Sequence, residues 1–316
     1  MSKKRTLLLF AAALTGFLVT ASLITVASVY LALTSFAPDR SSGTIRSSGE
    51  SRSYRLHVPA AYRSSQPLAL VISLHAAGLW PNTQAALTGW NALADRDTFI
   101  VVYPAGTALD GSARSHLPFR IWLLRPDSVL ARNVQFIEDL VDTLSARYSI
   151  DPGRVYVTGF SNGGAMAFAL SCRLSARLAA VGTVSAAQDQ PWGWCRNPTP
   201  LPFINFHGTR DLVPYTGGKS WASPLPFPSA PAWTAGWAHR NGCEGNPIID
   251  TIAPDAVRER YESCPNPVIL YTIEGGGHAW PGGTPLLPWL LGRTTQSVNA
   301  TYLMWSFFKA HPRLPS

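Results

Sequence analysis

Several features that indicate particular classes of protein are missing from this chain of 316 residues. It contains no internal repeat, no zinc-finger spacing and no stripe of basic residues. The formal charge of +8 includes Lys3, Lys4 and Arg5, and the arginines beyond them are dispersed among acidic residues. Because binding to nucleic acid requires clustered positive charge, we expect no nucleic-acid partner.

Charged residues are also absent from Thr6 to Ala37, directly after the basic residues at positions 3–5. This run is longer than a bilayer core needs and longer than the apolar region of a usual signal peptide. The best cleavage site, Ser35-Phe36-Ala37, precedes Pro38, which should hinder cleavage. The sequence therefore favours an uncleaved membrane anchor over residues 1–39, with a cleaved signal peptide as the alternative. Either one predicts an exported protein, extracellular or held at the cell surface.

Cysteine is scarce, and no C-x-x-C is present, which argues against thiol redox chemistry and against a four-cysteine zinc site. The four cysteines are Cys172, Cys195, Cys243 and Cys264. An even number in an exported protein suggests two disulfides, for which three connectivities are possible. We expect nearest neighbours to pair, Cys172 with Cys195 and Cys243 with Cys264, because each bond then closes a short segment next to a proposed active-site loop.

The most informative stretch runs from Val155 to Ala167, with the sequence VYVTGFSNGGAMA. Its β-forming residues lead into Gly159-Phe160-Ser161-Asn162-Gly163 and then into small residues compatible with a helix. A strand, a sharp turn and a helix in this order form the nucleophile elbow of α/β-hydrolases, where glycines allow the two backbones to pass closely. A bare G-x-S-x-G also arises by chance, but this context favours Ser161 as a nucleophile.

The rest of the chain alternates strand and helix patterns. Residues 40–53 are rich in serine, glycine and arginine and are predicted to be a linker, with order beginning near Tyr54. Such alternation predicts an α/β protein with a mostly parallel sheet and helices on both faces, preceded by an N-terminal hydrophobic helix. Residues 54–316 are then one catalytic domain. Strands are predicted at 54–58, 68–74, 99–103, 155–158, 181–184, 203–206 and 268–273, and helices at 90–97, 133–148 and 233–241.

The ends of three further strands supply candidate partners for Ser161. His75-Ala76-Ala77-Gly78 follows the strand at 68–74, where a hydrolase loop provides half of the oxyanion hole. Asp211 follows the strand at 203–206, and His278 follows the strand at 268–273. The order Ser, Asp, His along the chain is that of α/β-hydrolases. Asp189 is a competing acid.

With these residues identified, the chain resembles the secreted esterases of the polyhydroxybutyrate depolymerase and feruloyl esterase group within the α/β-hydrolases. The resemblance extends from about residue 53 to about residue 310. It implies Ser161 as nucleophile, Asp211 as acid, His278 as base, and the backbone N–H groups of Asn162 and Ala77 as the oxyanion hole. It also agrees with the expected cysteine pairing. The stretches that carry it are RSYRLHVPAAY, LVISLHAAG, IVVYPAG, IDPGRVYVTGFSNGGAMAFALSC, FINFHGTRDLVPY and YTIEGGGHAWPGG.

The chain departs from this family's pattern at three places. Ala76-Ala77 stands where the family usually has glycine and often cysteine after the histidine. Ala105-Gly106 stands where an Asp-Gly is common, and Arg132-Asn133 replaces an acidic pair. These changes bear more on the substrate than on the chemistry.

The function predicted from the sequence is hydrolysis of carboxylic esters through an acyl-enzyme, with no metal or organic cofactor. Its substrates are expected to be small or oligomeric esters of short hydroxyalkanoic or aromatic acids. Trp280 and His75 are predicted to contact the substrate, and Trp122 is a further candidate for stacking. The alternative is a catalytically silent, surface-anchored binding protein that kept the fold, and within enzymes a peptidase.

Overall fold

A computed structural model describes residues 3–34, 43–113, 119–186, 195, 199–220 and 223–314. Within these ranges the α-helices are α1 Lys3–Thr34, α2 Pro81–Thr88, α3 Trp90–Asp97, α4 Asp127–Arg147, α5 Asn162–Arg173, α6 Ala230–Arg240, α7 Pro288–Leu291 and α8 Ala300–Ala310. The strands are β1 Gly43–Ser47, β2 Glu50–His57, β3 Leu68–Leu74, β4 Ile100–Pro104, β5 Ile150–Phe160, β6 Ala180–Val184, β7 Phe203–Gly208, β8 Gly218–Ser220, β9 Ser223–Phe227, β10 Ile248–Ala253, β11 Ala256–Tyr261 and β12 Val268–Ile273.

Ten of these strands form one sheet, in the order β1-β2-β4-β3-β5-β6-β7-β12-β11-β10. The six strands from β4 to β12 along this order are parallel, and antiparallel hairpins extend both edges. Parallel strands need crossover connections, and helices supply them. The predicted α/β-hydrolase architecture is confirmed.

Helices cover both faces of the sheet, which explains why the central strands β3, β4, β6 and β7 are buried along their whole length. In β3, Leu70 and Ile72 pack into a core formed with α4, α5 and α6. Val71 lies between them in sequence and points to the opposite core, formed with α2, α3 and α8. All seven residues of β3 are buried. The run Leu68–Leu74 was therefore readable as a strand from its sequence alone.

Apart from the predicted strand at 54–58, which overlaps the end of β2, the antiparallel edges were not predicted. Residues 43–47 pair with residues 50–54 in a hairpin, so the interpretation of 40–53 as a linker is wrong for this part of it. Its polar residues are tolerated because the hairpin lies at the sheet edge, where one side of a strand faces solvent. At the other edge, β10 and β11 form a second hairpin whose side chains are mostly half-buried or exposed. Such strands lack the continuous apolar run that marks a central strand.

The N-terminal apolar run lies in the long helix α1. In the part of the chain that the structure describes, no helix meets the length and apolarity needed to cross a bilayer. This finding does not support the predicted membrane anchor. The predicted cleavage site at residues 35–37 lies outside the described residues.

Candidate active site

Neighbouring strands bring the three predicted catalytic residues to the same edge of the sheet. Ser161 follows β5, Asp211 follows β7 and His278 follows β12, and only β6 separates β5 from β7 in the sheet. The carboxyl ends of parallel strands meet at one edge, where ligands bind in open α/β sheets. Asp189, the competing acid, lies outside the described residues.

Ser161 is held in a strained turn between β5 and α5. Its φ of 54° and ψ of −118° place a non-glycine residue in a left-handed region that costs on the order of 1–3 kcal/mol. The two glycines of the motif make this turn possible. A Cβ at Gly159 would lie 2.2 Å from the carbonyl oxygen of Gly163, and a Cβ at Gly163 would lie 2.3 Å from that of Leu74. The elbow predicted from the sequence is thus present in the structure.

His278 and Asp211 are joined by a short hydrogen bond. His278 Nδ1 donates to Asp211 Oδ1 at 2.6 Å, so Nε2 is left as the proton acceptor of the ring. The imidazole stacks on the ring of Phe160, with centroids 4.9 Å apart. Since Phe160 directly precedes Ser161, this stacking brings the histidine to the elbow. Among the described residues, the Ser161 hydroxyl has no hydrogen-bond partner within 3.5 Å.

The Asp211 side chain is fully buried. Burial acts to raise the pKa of its carboxyl, but the adjacent His278 and the more distant His207 outweigh burial and hold the pKa below its ordinary value. Asp211 Oδ1 also accepts from the backbone N–H of Val213 at 2.8 Å, and His207 bonds the carbonyl oxygen of the same residue. This turn keeps an ionised acid beside His278, which is what orienting and stabilising a catalytic histidine requires.

The loop that carries His278 is fixed by the end of α7 and the segment that follows it. The backbone N–H of His278 donates to the carbonyl oxygen of Leu291 at 2.6 Å. Arg293 donates to the carbonyl oxygens of Glu274 and Gly275, at the start of the same loop. Asp255 accepts from Arg293 at 2.7 Å and so fixes the guanidinium. These contacts let a loop residue occupy one defined position.

The two N–H groups predicted to form the oxyanion hole are free for a ligand. Within the described part of the chain, neither the N–H of Ala77 nor that of Asn162 donates to a protein acceptor. Ala77 is exposed, unlike the buried residues on either side of it. The N–H of Asn162 lies at the amino terminus of α5, where the helix dipole favours negative charge. Alanine at position 77 therefore leaves the donor accessible.

The residues predicted to contact substrate are instead part of the core. Trp280 is 2% exposed, and its Nε1 donates to the Thr301 hydroxyl at 2.9 Å. Trp122 is 1% exposed and is likewise unavailable for stacking. The predicted substrate contacts of Trp280 and His75 find no support here, because both side chains are buried.

His75 has a structural role behind the oxyanion loop. Its Nδ1 donates to the carbonyl oxygen of Ala76 at 2.8 Å, and its Nε2 accepts from the N–H of Gly106 at 2.9 Å. Both ring nitrogens are therefore used, and the ring is neutral. Burial lowers the pKa of His75 to about 4, although the Ala76 carbonyl counteracts this shift. The side chain joins the loop at 75–78 to the loop after β4.

An exposed aromatic residue that the sequence analysis missed lies against the oxyanion loop. Phe119 is 38% exposed. A Cβ at Gly78 would come within 3.0 Å of its ring, so the ring packs on Gly78 beside Ala77. Nothing in the sequence near residue 119 indicates this position, because the contact joins two loops that lie far apart in the chain.

Both predicted disulfides are present, Cys172–Cys195 and Cys243–Cys264. The disulfides do not lie next to the active-site loops, however, which was the basis of the predicted pairing. Cys172 lies in the last turn of α5, about 15 Å along the helix from Asn162. Cys243–Cys264 joins the end of α6 to the connection before β12, at the edge of the sheet opposite Ser161. The disulfides therefore brace the scaffold rather than the catalytic loops.

Comparison with known proteins agrees with this fold. The family described as Esterase PHB depolymerase matches residues 52–188. The "Putative esterase NocK" of Nocardia uniformis subsp. tsuyamanensis is 32% identical over 278 residues, covering 79% of this chain and 77% of that protein. Feruloyl esterase B of Piromyces equi is 36% identical over 167 residues, but these cover only 31% of that protein.

A relative matched over most of its length is Feruloyl esterase C of Emericella nidulans, which is 24% identical and covers 82% of this chain and 84% of that protein. Among solved structures, an acetyl xylan esterase from Aspergillus awamori superposes with a TM-score of 0.56 at 17% identity, over 75% of this chain and 93% of that one. This likeness shows the α/β-hydrolase fold. The chain belongs to the Esterase PHB depolymerase family, and it is a carboxylic ester hydrolase.

Proposed function

We propose that this esterase cleaves its substrate through an acyl-enzyme on Ser161. The observation that carries the proposal is the 2.6 Å bond between His278 Nδ1 and Asp211 Oδ1 at the strand edge that presents the strained Ser161. Ser161 Oγ attacks the ester carbonyl while His278 Nε2 takes its proton. The N–H groups of Ala77 and Asn162 bind the developing oxyanion.

The second half of the reaction reuses the same groups. Protonated His278 gives its proton to the leaving alcohol, which departs and leaves the acyl group on Ser161. Water then attacks the acyl-enzyme, with His278 again as base, and the carboxylic acid is released. Asp211 stays ionised throughout, holds the imidazole in its working tautomer and stabilises the imidazolium.

Replacing the nucleophile tests this mechanism. Ser161→Ala should abolish ester turnover and should also abolish labelling by a fluorophosphonate probe, which reacts with activated serines. Asp211→Asn should keep the nucleophile but lower kcat by about 10⁴-fold, because the histidine then adopts the wrong tautomer. Wild-type turnover in the Ser161→Ala protein would refute the assignment.

For the substrate, we propose esters of aromatic acids, with short hydroxyalkanoate esters as the competing class. Support comes from the feruloyl esterases among the relatives and from Phe119, whose half-exposed ring lies beside the proposed oxyanion donor at Ala77. An aromatic acyl group can stack on such a ring.

An ester panel distinguishes the two substrate classes. Methyl ferulate, an acetyl ester and a 3-hydroxybutyrate ester are compared on wild-type protein and on Phe119→Ala. If Phe119 contacts the acyl group, the variant's kcat/KM for the ferulate should fall about 10-fold. Its kcat/KM for the acetyl ester should stay within about threefold of the wild-type value. An equal loss of kcat/KM on all three esters would contradict the contact. If the wild-type protein prefers the 3-hydroxybutyrate ester, hydroxyalkanoate esters replace aromatic esters as the proposed substrate class.

We also propose that the protein works in an oxidising compartment outside the cytoplasm. Two disulfides and no free cysteine among the described residues support this location. Fractionation of producing cells, followed by thiol alkylation of the recovered protein, tests it. Recovery of the reduced protein in the cytoplasmic fraction would contradict it.

A further inference from the structure

The side chain of Asn162 pairs with the backbone of a distant loop residue. Its Oδ1 accepts a hydrogen bond from the N–H of Trp122 at 2.7 Å, and its Nδ2 donates to the carbonyl oxygen of the same residue at 3.0 Å. The orientation of the amide is determined, because the N–H can only donate and the carbonyl can only accept. The side-chain amide of Asn162 thus makes the same pair of hydrogen bonds to the Trp122 backbone that a residue of a neighbouring strand would make.

The loop that contains Trp122 also holds the segment that carries Ala77. The indole Nε1 of Trp122 donates to the carbonyl oxygen of His75 at 3.2 Å. The N–H of Gly78 donates to the carbonyl oxygen of Arg120 at 2.7 Å. Ala77 lies between these two attachment points. The segment that carries Ala77, the first proposed oxyanion donor, is therefore hydrogen-bonded to the same loop that the Asn162 side chain binds.

This loop is itself well anchored. Ile121 exchanges two backbone hydrogen bonds with Thr107, at 2.8 and 3.0 Å. Trp122 is buried against the ring of His75, with centroids 5.3 Å apart. A displacement of Asn162 relative to the loop therefore cannot be absorbed by the loop alone and must change the site.

We propose that the Asn162 side chain is a positioning residue that sets the separation between the two N–H donors of the oxyanion hole. The inference rests on the acyl-enzyme mechanism proposed above. Asn162 carries one donor on its own backbone, and through Trp122 it holds the segment that carries the other, Ala77. Donors must meet the developing charge at about 3 Å, so a change in their separation weakens binding of the transition state more than binding of the ester.

Asn162→Ala is the direct test, since it keeps the backbone N–H and removes both bonds to Trp122. Removing a whole oxyanion donor costs about 10²–10³-fold in kcat, so misplacing one should cost about 10–100-fold, with KM changed less than about threefold. Affinity for a trifluoromethyl ketone, which forms an oxyanion on an activated serine, should fall in parallel. The pH–rate profile should keep its shape, because the pair His278 and Asp211 is untouched.

Trp122→Phe provides a second route to the same loop. It removes the bond to the His75 carbonyl and leaves the backbone bonds to Asn162 in place. We expect a smaller loss of kcat of the same kind. The double variant should lose less than the product of the two single losses, because both changes act through one loop. Strictly multiplicative losses would count against a shared route.

Asn241→Ala is the matched control. Its Nδ2 also donates to two backbone carbonyls, those of Leu201 at 2.7 Å and Asn266 at 2.8 Å, at the opposite edge of the sheet. It should lower the free energy of unfolding but keep kcat within threefold. The inference is overturned if Asn162→Ala keeps wild-type kcat, or loses it only as much as Asn241→Ala does. Failure of the underlying mechanism is separate, since wild-type protein would then not react with a fluorophosphonate.

Discussion

The crossing of β5 and α5 at the elbow leads to a quantitative prediction for Gly159→Ala. The added Cβ would lie 2.2 Å from the carbonyl oxygen of Gly163 and 2.7 Å from the backbone nitrogen of Gly164. Carbon and oxygen atoms that are not bonded need about 3 Å or more. Because both contacts are backbone atoms, no side-chain rotation relieves them. The strand end and the first turn of α5 must therefore separate by about 1 Å.

Ser161 lies between the two segments that separate, so its hydroxyl moves relative to His278. A misplacement of about 1 Å costs about 10²-fold in rate, and overpacking costs typically 1–3 kcal/mol of stability. We expect Gly159→Ala to lose at least about 100-fold in kcat on a chromogenic ester and to label slowly with a fluorophosphonate. Urea unfolding measures the accompanying loss of stability.

Gly182→Ala is the control, because Gly182 lies in β6 and pairs with Thr158, directly before Gly159. Its Cβ would meet the sulfur of Met304 at 2.9 Å and a ring carbon of Phe308 at 3.2 Å. These are ends of side chains that can shift. Stability should fall by a similar amount while kcat stays within about threefold. If Gly159→Ala keeps more than a third of wild-type kcat, the close crossing does not hold Ser161 in place.

Two further predictions concern stability. Because the pKa of His75 is lowered to about 4, the unfolded chain takes up a proton between about pH 6.5 and 4 that the folded protein does not. His75 should therefore lower the free energy of unfolding by about 3 kcal/mol as pH decreases through this range, and a His75→Gln variant should show a correspondingly smaller decrease. Equal slopes for the two proteins in urea titrations would contradict this. Replacing Cys243 and Cys264 together by serine opens a loop with a sequence separation of 21. The free energy of unfolding should fall by about 3 kcal/mol, while kcat stays unchanged. A large loss of kcat would contradict a purely structural role for this disulfide.

The parts of the site that could be predicted are those that local sequence determines. A strand, a turn and a helix within residues 155–167 are enough to place Ser161, and the apolar strands before Asp211 and His278 are enough to place their ends at the same edge. Contacts between distant loops leave no such local pattern. The bond between Asn162 and Trp122 spans 40 residues, and each partner alone is an ordinary loop or helix residue.

Whether a single side chain points into the site or into the core could not be predicted from the sequence either. Trp280 is close to His278 in sequence and looked like part of the site, yet its indole bonds Thr301 on α8. His75 opens the oxyanion loop, but its ring bonds Gly106, 31 residues later. In both cases, a partner that is distant in sequence decides whether the side chain lines the site or supports it.

Two of the departures from the family pattern meet at one buried arginine. Arg52 is 2% exposed, and its Nη2 donates to the carbonyl oxygen of Ala105 at 3.2 Å and to Asn133 Oδ1 at 3.1 Å. Burial lowers its pKa to about 10, although Glu50 counteracts this shift. Two neutral oxygens therefore hold the guanidinium, and only that of Asn133 belongs to a side chain.

The location of this arginine shows which part of the site the two changes affect. Arg52 holds the carbonyl oxygen of Ala105, and the next residue, Gly106, donates its N–H to His75. His75 in turn bonds the carbonyl oxygen of Ala76, directly before the proposed donor at Ala77. The changes therefore lie behind the oxyanion loop and not in front of Ser161. The N–H of Ala77, the proposed donor, is present whatever the side chain at that position.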